Sequence, residues 1–425
     1  MVPLSDDCFA HGGALMTVAE AFEQIETRLA PVVAAENVPL LAAAGRVLAQ
    51  DVVAGMDLLP HASSAVDGYA VAHSDLFPDR ETVLSVGGRT AAGQSFGRPV
   101  CRGEPIRIFT GAPSPEGADT LIMQEDCVAI DGSDGGQVRV KPGTKKGANH
   151  RQAGEDLSAG AVALRAGRRL FPADLGLAAA LGRDRLPVFR PLRVALLSTG
   201  NEICDPGRAL PRATIYDANR VMLAALLDRL GCVVSDLGIQ ADCAAVLADT
   251  LARTAIDHDL IVNSGGVSTG EEDHVRNAIE QLGSLHFWQL TIKPGKPVAL
   301  GQIGAVPLIG LPGNPVAAFV TFVTIARPLI LKLAGAAPAP PKLFPVRAGF
   351  AHRKKPGRRE YLRASLDRGE RRSRNEIPPR RLSDLVVDRV IRWVCGVGRR
   401  CRRPGRRLGS RFHAIHGSAR VNGLS

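Results

Sequence analysis

Between residues 188 and 335 the chain alternates strand-like and helical segments with little between them, and this alternation limits the possible folds more than any other feature. RVALLSTG, CVVSDLGI, LIVNSGG, LTIKPG and VPLIGLPG read as strands. ANRVMLAALLDRLG, CAAVLADTLARTA and HVRNAIEQLG read as helices, the first ending at Gly231. Pro315 opens a last helix with Asn314 as its cap, where a missing N–H is harmless. Apolar strands joined by helices predict an α/β multidomain chain with a three-layer α/β sandwich domain, whose ligand sits outside the carboxyl ends of the strands.

The turns at those ends are crowded with Gly, Pro and small polar residues. Ser198, Thr199 and Gly200 follow the first strand and leave backbone N–H groups for an anion, with Glu202 adding a carboxylate. Ser264, Gly265, Gly266 and Ser268 form a second such turn that ends at Asp273, and paired glycines permit close approach of a phosphate. Lys293 and Lys296 lie in KPGKP, where the prolines stiffen the backbone; a lysine about 4 Å from a unit negative charge gains roughly 4 kcal/mol at an effective dielectric near 20, before desolvation. Pro312, Gly313, Asn314 and Pro315 bring a helix N-terminus to the same edge. Asp217, Asn219 and Asp242 are further polar groups at element ends. Each alone reads more simply as a cap, a turn or a solvated side chain; their convergence is the signal, and it points to a phosphate-handling protein that uses Mg²⁺.

Upstream, residues 1–15 read as an untemplated leader. Thr17 and Glu20 have capping-box spacing ahead of a helix over about 17–30, and a second helical segment at 40–44 meets Gly45. From residue 51 to 148 the short runs GYAVA, TVLSVG, PIRIFTG, TLIMQED and QVRVK predict an inserted β-rich domain. Residues 149–187 pack back on the N-terminal helix in this reading, so that 16–50 with 149–187 make an elongated N-terminal helical and linker domain. The α/β domain spans 188–335. Within the insertion Asp67 precedes Gly68, Thr110 sits in a turn, and Asp156 follows Glu155; turn formation is the simpler reading of each.

The net charge of +11 suggests nucleic acid, but arginine is concentrated after about Arg347, so the excess belongs to the end of the chain. A C-terminal β domain begins at about residue 342 with FPVRAGFAH and REYLRASL. From about Arg368 it gives way to Arg-, Gly- and Pro-rich sequence without period-2 alternation, predicting an incomplete β-barrel remnant with a weakly folded, disordered tail. That switch resembles a shifted reading frame more than a nucleic-acid arm. Eight cysteines contain no CxxC pair, which argues against a zinc site or disulfide framework and for a reducing cytoplasm. The apolar run 316–333 is broken by Arg327 and Pro328 and reads as a buried helix rather than a membrane span.

SAVDGYAV, RIFTGAPSPEGADTLIMQED, RQAGEDL, LLSTGNEI, IYDANR, NSGGVSTGEED, IKPGKP and GLPGNPVAA, in this order, resemble the molybdopterin molybdenumtransferase family, the MoeA and gephyrin E-domain group. The resemblance implies an enzyme of molybdenum cofactor biosynthesis that takes adenylylated molybdopterin and molybdate, releases AMP and requires Mg²⁺. It implies a homodimer of four-domain subunits working beside the molybdopterin adenylyltransferase. By matching motif, Asp67, Thr110, Asp156, Glu202, Asp242, Asp273, Pro312 and Pro315 occupy positions implicated in activity. Lys293 and Lys296 resemble the molybdate-holding lysines, and Asp242 with Asp273 are the first metal candidates. Gln289 stands where many bacterial members place a lysine. A non-catalytic molybdopterin-binding scaffold is the alternative that Gln289 and the C-terminal stretch leave open.

Overall fold

The computed structural model describes Phe9 and residues 15–130, 136–241, 243–265, 274–337, 343–347, 357–364, 393–397 and 411–415. Seven strands form the sheet that positions the site: β1 (Leu15–Met16), β2 (Arg193–Thr199), β3 (Val233–Gln240), β4 (Leu260–Ser264), β5 (Gly283–Leu290), β6 (Pro297–Ile303) and β7 (Val306–Leu311). Their spatial order is β1-β5-β6-β7-β4-β2-β3. Strands β3, β2, β4 and β7 run parallel, whereas β6 is antiparallel to both β7 and β5. The registers Ser198↔Ser264, Ser264↔Leu311 and Gln289↔Pro297 bring the ends of β2, β4, β7 and β5 and the start of β6 to one edge.

Alternation along the strands produces the layers. Val194, Leu196, Leu260, Val262, Ile309 and Leu311 share a core with Leu223, Leu227, Phe322 and Leu329. Ala195, Leu197, Ile261 and Leu308 share another with Leu247, Leu251, Val275 and Ile279. The helices involved are α1 (Val18–Arg28), α3 (Ala218–Leu230) and α6 (Pro315–Leu333) on the first side and α4 (Ala244–Asp257) and α5 (His274–Leu282) on the second. These faces make the expected three-layer sandwich. Helix α6 is long and apolar enough to cross a membrane, but its side chains lie mostly in the first core. It contains a π turn at Phe322–Ala326, with Arg327 N–H bonded to the Phe322 carbonyl; Pro328 follows, and its missing N–H prevents a regular α-helical bond there.

Local signals held at several ends. Thr17 and Glu20 form the capping box of α1, with Glu20 N–H to Thr17 Oγ1 at 3.1 Å and Thr17 N–H to Glu20 Oε2 at 2.6 Å. Gly231 caps α3 at φ 86°. Asn314 caps α6, its Oδ1 accepting from Val316 and Ala317 N–H at 3.1 Å.

Three expectations are corrected by packing. The first 15 residues are not untemplated throughout: Leu15–Met16 pairs with Gln289 and Leu290 as the sheet's first strand, and buried Phe9 stacks edge-on against Trp288, whose Nε1–H donates to the Phe9 carbonyl at 2.9 Å. The LTIKPG run is not one strand, because β5 ends at Leu290 and the chain turns to begin β6 at Pro297. Residues within 149–187 pack on 35–54 rather than on α1: Leu164, Leu170, Ala178 and Leu186 share a cluster with Ala43, Leu48, Val52 and Ala54. Here α2 (Pro172–Ala180) caps that cluster, while α1 buries Ala21 and Ile25 in the α/β core.

All five β runs anticipated between 51 and 148 are strands, divided between a four-stranded sheet containing Gly68–Val71, Ile106–Ile108 and Thr120–Met123 and a three-stranded sheet containing Thr82–Ser85 and Gln137–Val140. Near the C-terminus, Leu343–Arg347, Arg359–Ala364, Trp393–Val397 and Arg411–Ile415 join Ile292–Lys293 in a five-stranded sheet. Within the stretch expected to be weakly folded, Trp393–Val397 and Arg411–Ile415 are thus paired strands. WVCGV is apolar enough to pair with REYLRA, and RFHAI alternates polar with apolar residues. The other residues of that stretch lie outside the described residues.

Candidate active site

The site is assembled by three turns that touch. Gly265 N–H donates to the Leu311 carbonyl at 3.1 Å, tying the end of β4 to the end of β7. At Gly265, φ is +90°, and a Cβ there would lie 2.4 Å from the Thr199 carbonyl oxygen, so the β2 and β4 turns can meet only at a glycine. A Cβ at Gly313 would lie 3.9 Å from Gly265 Cα, which places the PGNP turn against the same point.

Two buried carboxamides hold these turns. Asn263 Nδ2 donates to the Gly265 carbonyl at 2.9 Å and to Thr199 Oγ1 at 3.3 Å. Asn219 Nδ2, from the first turn of α3, donates to the Gly313 carbonyl at 2.8 Å. Both Oδ1 atoms, and the Ser198 hydroxyl, are buried without a hydrogen-bond partner among the described residues. An unmatched buried acceptor costs free energy until something donates to it. The edge therefore carries unmet acceptor capacity beside its backbone N–H groups.

The KPGKP loop completes the edge. Gly295, at φ +94°, approaches α6 so closely that a Cβ would lie 2.5 Å from Thr321 Oγ1. Leu290 N–H donates to the Lys296 carbonyl at 2.7 Å, which fixes Lys296 at the start of β6. Its ammonium has no ion-pair partner among the described residues, whereas Lys293 Nζ lies 3.3 Å from Glu360 Oε1. Gln289 pairs across to Pro297 and to Leu15, on the same edge as the lysines. The exposed Glu202 carboxylate lies over Gly200.

Ser198, Thr199, Gly200, Glu202, Asn219, Ser264, Gly265, Lys296, Pro312, Gly313, Asn314 and Pro315 are thus gathered along one edge, with Lys293 beside it. Asp217 is held by Arg220. It caps α3 through Arg220 N–H at 3.1 Å and accepts from Arg220 Nε at 3.1 Å, inside a cluster where Arg220 also holds Asp236 at 2.6 Å and contacts Asp205. Burial would raise the Asp236 carboxyl, but the Arg220 guanidinium outweighs it and holds the group below its ordinary range. Asp242, Gly266, Ser268 and Asp273 lie outside the described residues.

A second cluster forms around the short strand Ser63–Ser64. This strand pairs with His150–Arg151, and Ser64 exchanges backbone bonds with Gly111 and Ala112 at 2.8 and 3.0 Å. It draws the Asp67 turn, the Thr110 turn and the loop bearing Asp156 together. Asp67 Oδ1 accepts from both the backbone N–H and the hydroxyl of Thr110 at 2.8 Å, and those bonds hold its carboxyl below the ordinary range. Asp156 accepts from Arg151 Nη2 at 2.7 Å. Among the described residues the hydrogen bonds of these three side chains stay within this cluster.

The carboxamide of Asn263, the Arg220 cluster and Glu360 were not singled out by sequence reasoning. The i,i+3 spacing of Asp217 and Arg220 was a readable signal; nothing local marks Glu360, whose relation to Lys293 depends on strand pairing.

Glycine- and hydroxyl-rich turns that meet two lysines at the carboxyl edge of an α/β sheet are the arrangement of a small-molecule-binding α/β domain. Residues 16–182 match the MoeA N-terminal region (domain I and II), and residues 195–332 match a probable molybdopterin binding domain. The molybdopterin molybdenumtransferase of Haemophilus influenzae is 38% identical over 321 residues, 76% of this chain and 78% of that one. Molybdopterin molybdenumtransferase 2 of Mycobacterium tuberculosis is 37% identical over 343 residues, covering 78% and 83%. The crystal structure of a molybdopterin biosynthesis MoeA protein from Pyrococcus horikoshii OT3 superposes with a TM-score of 0.75 at 25% identity, over 95% of this chain and all of that one. The chain belongs to the molybdopterin molybdenumtransferase family.

Proposed function

We propose that this chain is the transferase that inserts molybdenum during cofactor biosynthesis, taking adenylylated molybdopterin and molybdate, releasing AMP and leaving molybdenum on the pterin dithiolene. The convergence of the Thr199, Gly265 and Gly313 turns with Lys296 and Lys293 on one sheet edge supports this reading best. Backbone N–H groups at the turns suit the phosphate, the lysines suit the molybdate dianion, and the unpartnered oxygens of Asn219 and Asn263 suit the N–H donors of a pterin ring. Cleavage of a phosphate linkage asks for positioning and charge neutralisation rather than covalent chemistry.

Mg²⁺ belongs to this reading. Carboxylates are hard oxygen donors that match it, and Asp242, two residues beyond β3, and Asp273, immediately before α5, are the groups to hold it. The bound ion would neutralise charge on the phosphate linkage.

Asp67, Thr110 and Asp156 then complete the site from the second subunit of a homodimer, with substrate supplied by the molybdopterin adenylyltransferase in the cytoplasm. Four domains follow the boundaries 16–50 with 149–187, 51–148, 188–335 and 342–425. Purified protein mixed with adenylylated molybdopterin, molybdate and Mg²⁺ should release AMP, and Lys296→Gln should slow that release. Tight pterin binding with no AMP would replace the transferase by a molybdopterin-binding scaffold.

A further inference from the structure

The two lysines of KPGKP are not equivalent. Lys296 has no carboxylate partner among the described residues, but Lys293 is already paired. The pairing is built into the backbone: Ile292–Lys293 runs parallel to Arg359–Ala364 with Lys293 opposite Glu360, and Arg359 N–H donates to the Thr291 carbonyl at 2.8 Å. On its other side Thr291 N–H donates to the Met16 carbonyl at 2.8 Å, so the segment before Lys293 is clamped between the first strand of the α/β sheet and the C-terminal sheet. Glu360 is 8% exposed, while the Lys293 side chain is 61% exposed. The carboxylate is fixed and the ammonium can swing.

We propose that Glu360 is a specificity-determining residue for the oxyanion substrate, competing with the incoming anion for the Lys293 ammonium. This rests on Lys293 being an anion ligand. An arriving dianion takes the Lys293 ammonium while Glu360 remains nearby, so the carboxylate repels whatever Lys293 attracts. Attraction by Lys293 and repulsion by Glu360 both scale with the charge of the anion, so the carboxylate lowers the affinity for a dianion more than that for chloride. The C-terminal sheet sets the anion affinity of the α/β edge through this one side chain.

The test uses the full chain in the AMP-release reaction, with molybdate as the varied substrate at low ionic strength. Glu360→Gln keeps the side-chain shape and an acceptor for Lys293 but removes the charge. It should lower half-saturating molybdate by roughly tenfold and increase inhibition by chloride, with the change in KM rather than in kcat. A purely structural role would lower thermal stability and leave KM in place. If Glu360→Gln fails to fold, Glu360→Ala is read in its place and should also lower KM. Lys293→Gln separates the two levels. If it raises KM while the Glu360 variants leave KM unchanged or raise it, the inference on Glu360 is overturned alone; if Lys293→Gln leaves KM unchanged, the role of Lys293 falls and this inference with it.

Discussion

Asp67 Oδ1 receives two hydrogen bonds from Thr110, one from its backbone N–H and one from its hydroxyl, both at 2.8 Å. These residues are 43 apart in sequence, and the short strand Ser63–Ser64 holds both their turns in place. A carboxylate so bonded is kept ionised, and its carboxyl group titrates below the usual range.

Thr110→Val removes the hydroxyl donor and keeps the backbone one, so the Asp67 carboxyl should move up toward its ordinary value without reaching it. The sign follows from linkage: a depressed folded value gives stability present above the unfolded value and lost as pH falls through the folded one. The acid limb of AMP release should shift to higher pH in Thr110→Val. Asp67→Asn should abolish that limb together with most of the activity, and circular dichroism should show both variants folded.

Asp259 is 1% exposed and accepts from Arg190 Nη1 and Nη2 at 2.7 Å and from Arg193 N–H at 2.8 Å, joining the segment before β2 to the residue before β4. Burial alone would raise its carboxyl, but Arg190 and Arg193 outweigh burial and hold it below the ordinary range. Asp259→Ala leaves two partly buried arginines, Arg190 and Arg193, without their carboxylate beside a cavity and should cost about 3 kcal/mol, read as a lower urea midpoint. Stability from this group is present above its unfolded value and lost as pH falls through the depressed folded one, so the variant should show a flatter loss of stability in acid.

How legible all this was depended on distance along the chain. The caps at Thr17 and Asn314 and the stop at Gly231 involve neighbours a few residues apart, and the text carried them. The turns of the site could be placed because parallel strands end together by construction. What escaped were relations between remote segments: Phe9 under Trp288 is a pairing over 279 residues, and Lys293 with Glu360 one over 67. An isolated Phe in a polar leader or a Glu in REYLR has no local pattern that announces its partner. Asp217 shows the opposite case, since a carboxylate at a helix start serves as cap or ligand with the same spelling, and its bonds to Arg220 are the part that the fold makes visible.

Gly265 offers a sharp steric test. With φ at +90° and a would-be Cβ 2.4 Å from the Thr199 carbonyl oxygen, which belongs to rigid strand backbone, nothing flexible can yield. Gly265→Ala should cost about 3 kcal/mol from the strained dihedral and the displaced strand end. It should also separate the β2 and β4 turns and weaken pterin binding. Gly313→Ala, whose Cβ would meet only ordinary contact at 3.9 Å, should be far milder in the same urea titration.

Asn219 separates stability from binding most cleanly. Its Nδ2 donates to the Gly313 carbonyl at 2.8 Å, while its Oδ1 is buried with no partner among the described residues. Asn219→Ala removes a favourable bond and, with it, an acceptor that destabilises the free protein. The two contributions oppose each other, so the loss of stability should be only about 1 kcal/mol, below that of a fully satisfied buried carboxamide. In the proposed complex the balance reverses, because the acceptor assigned to a pterin N–H would be lost and the PGNP turn would no longer be pinned. Binding should weaken by roughly 1.5 to 3 kcal/mol, about 10- to 100-fold in Kd. Urea unfolding without ligand and calorimetric titration with adenylylated molybdopterin measure the two effects separately. Equal losses in both would mean that Asn219 Oδ1 meets no ligand and that the carboxamide only braces the turn.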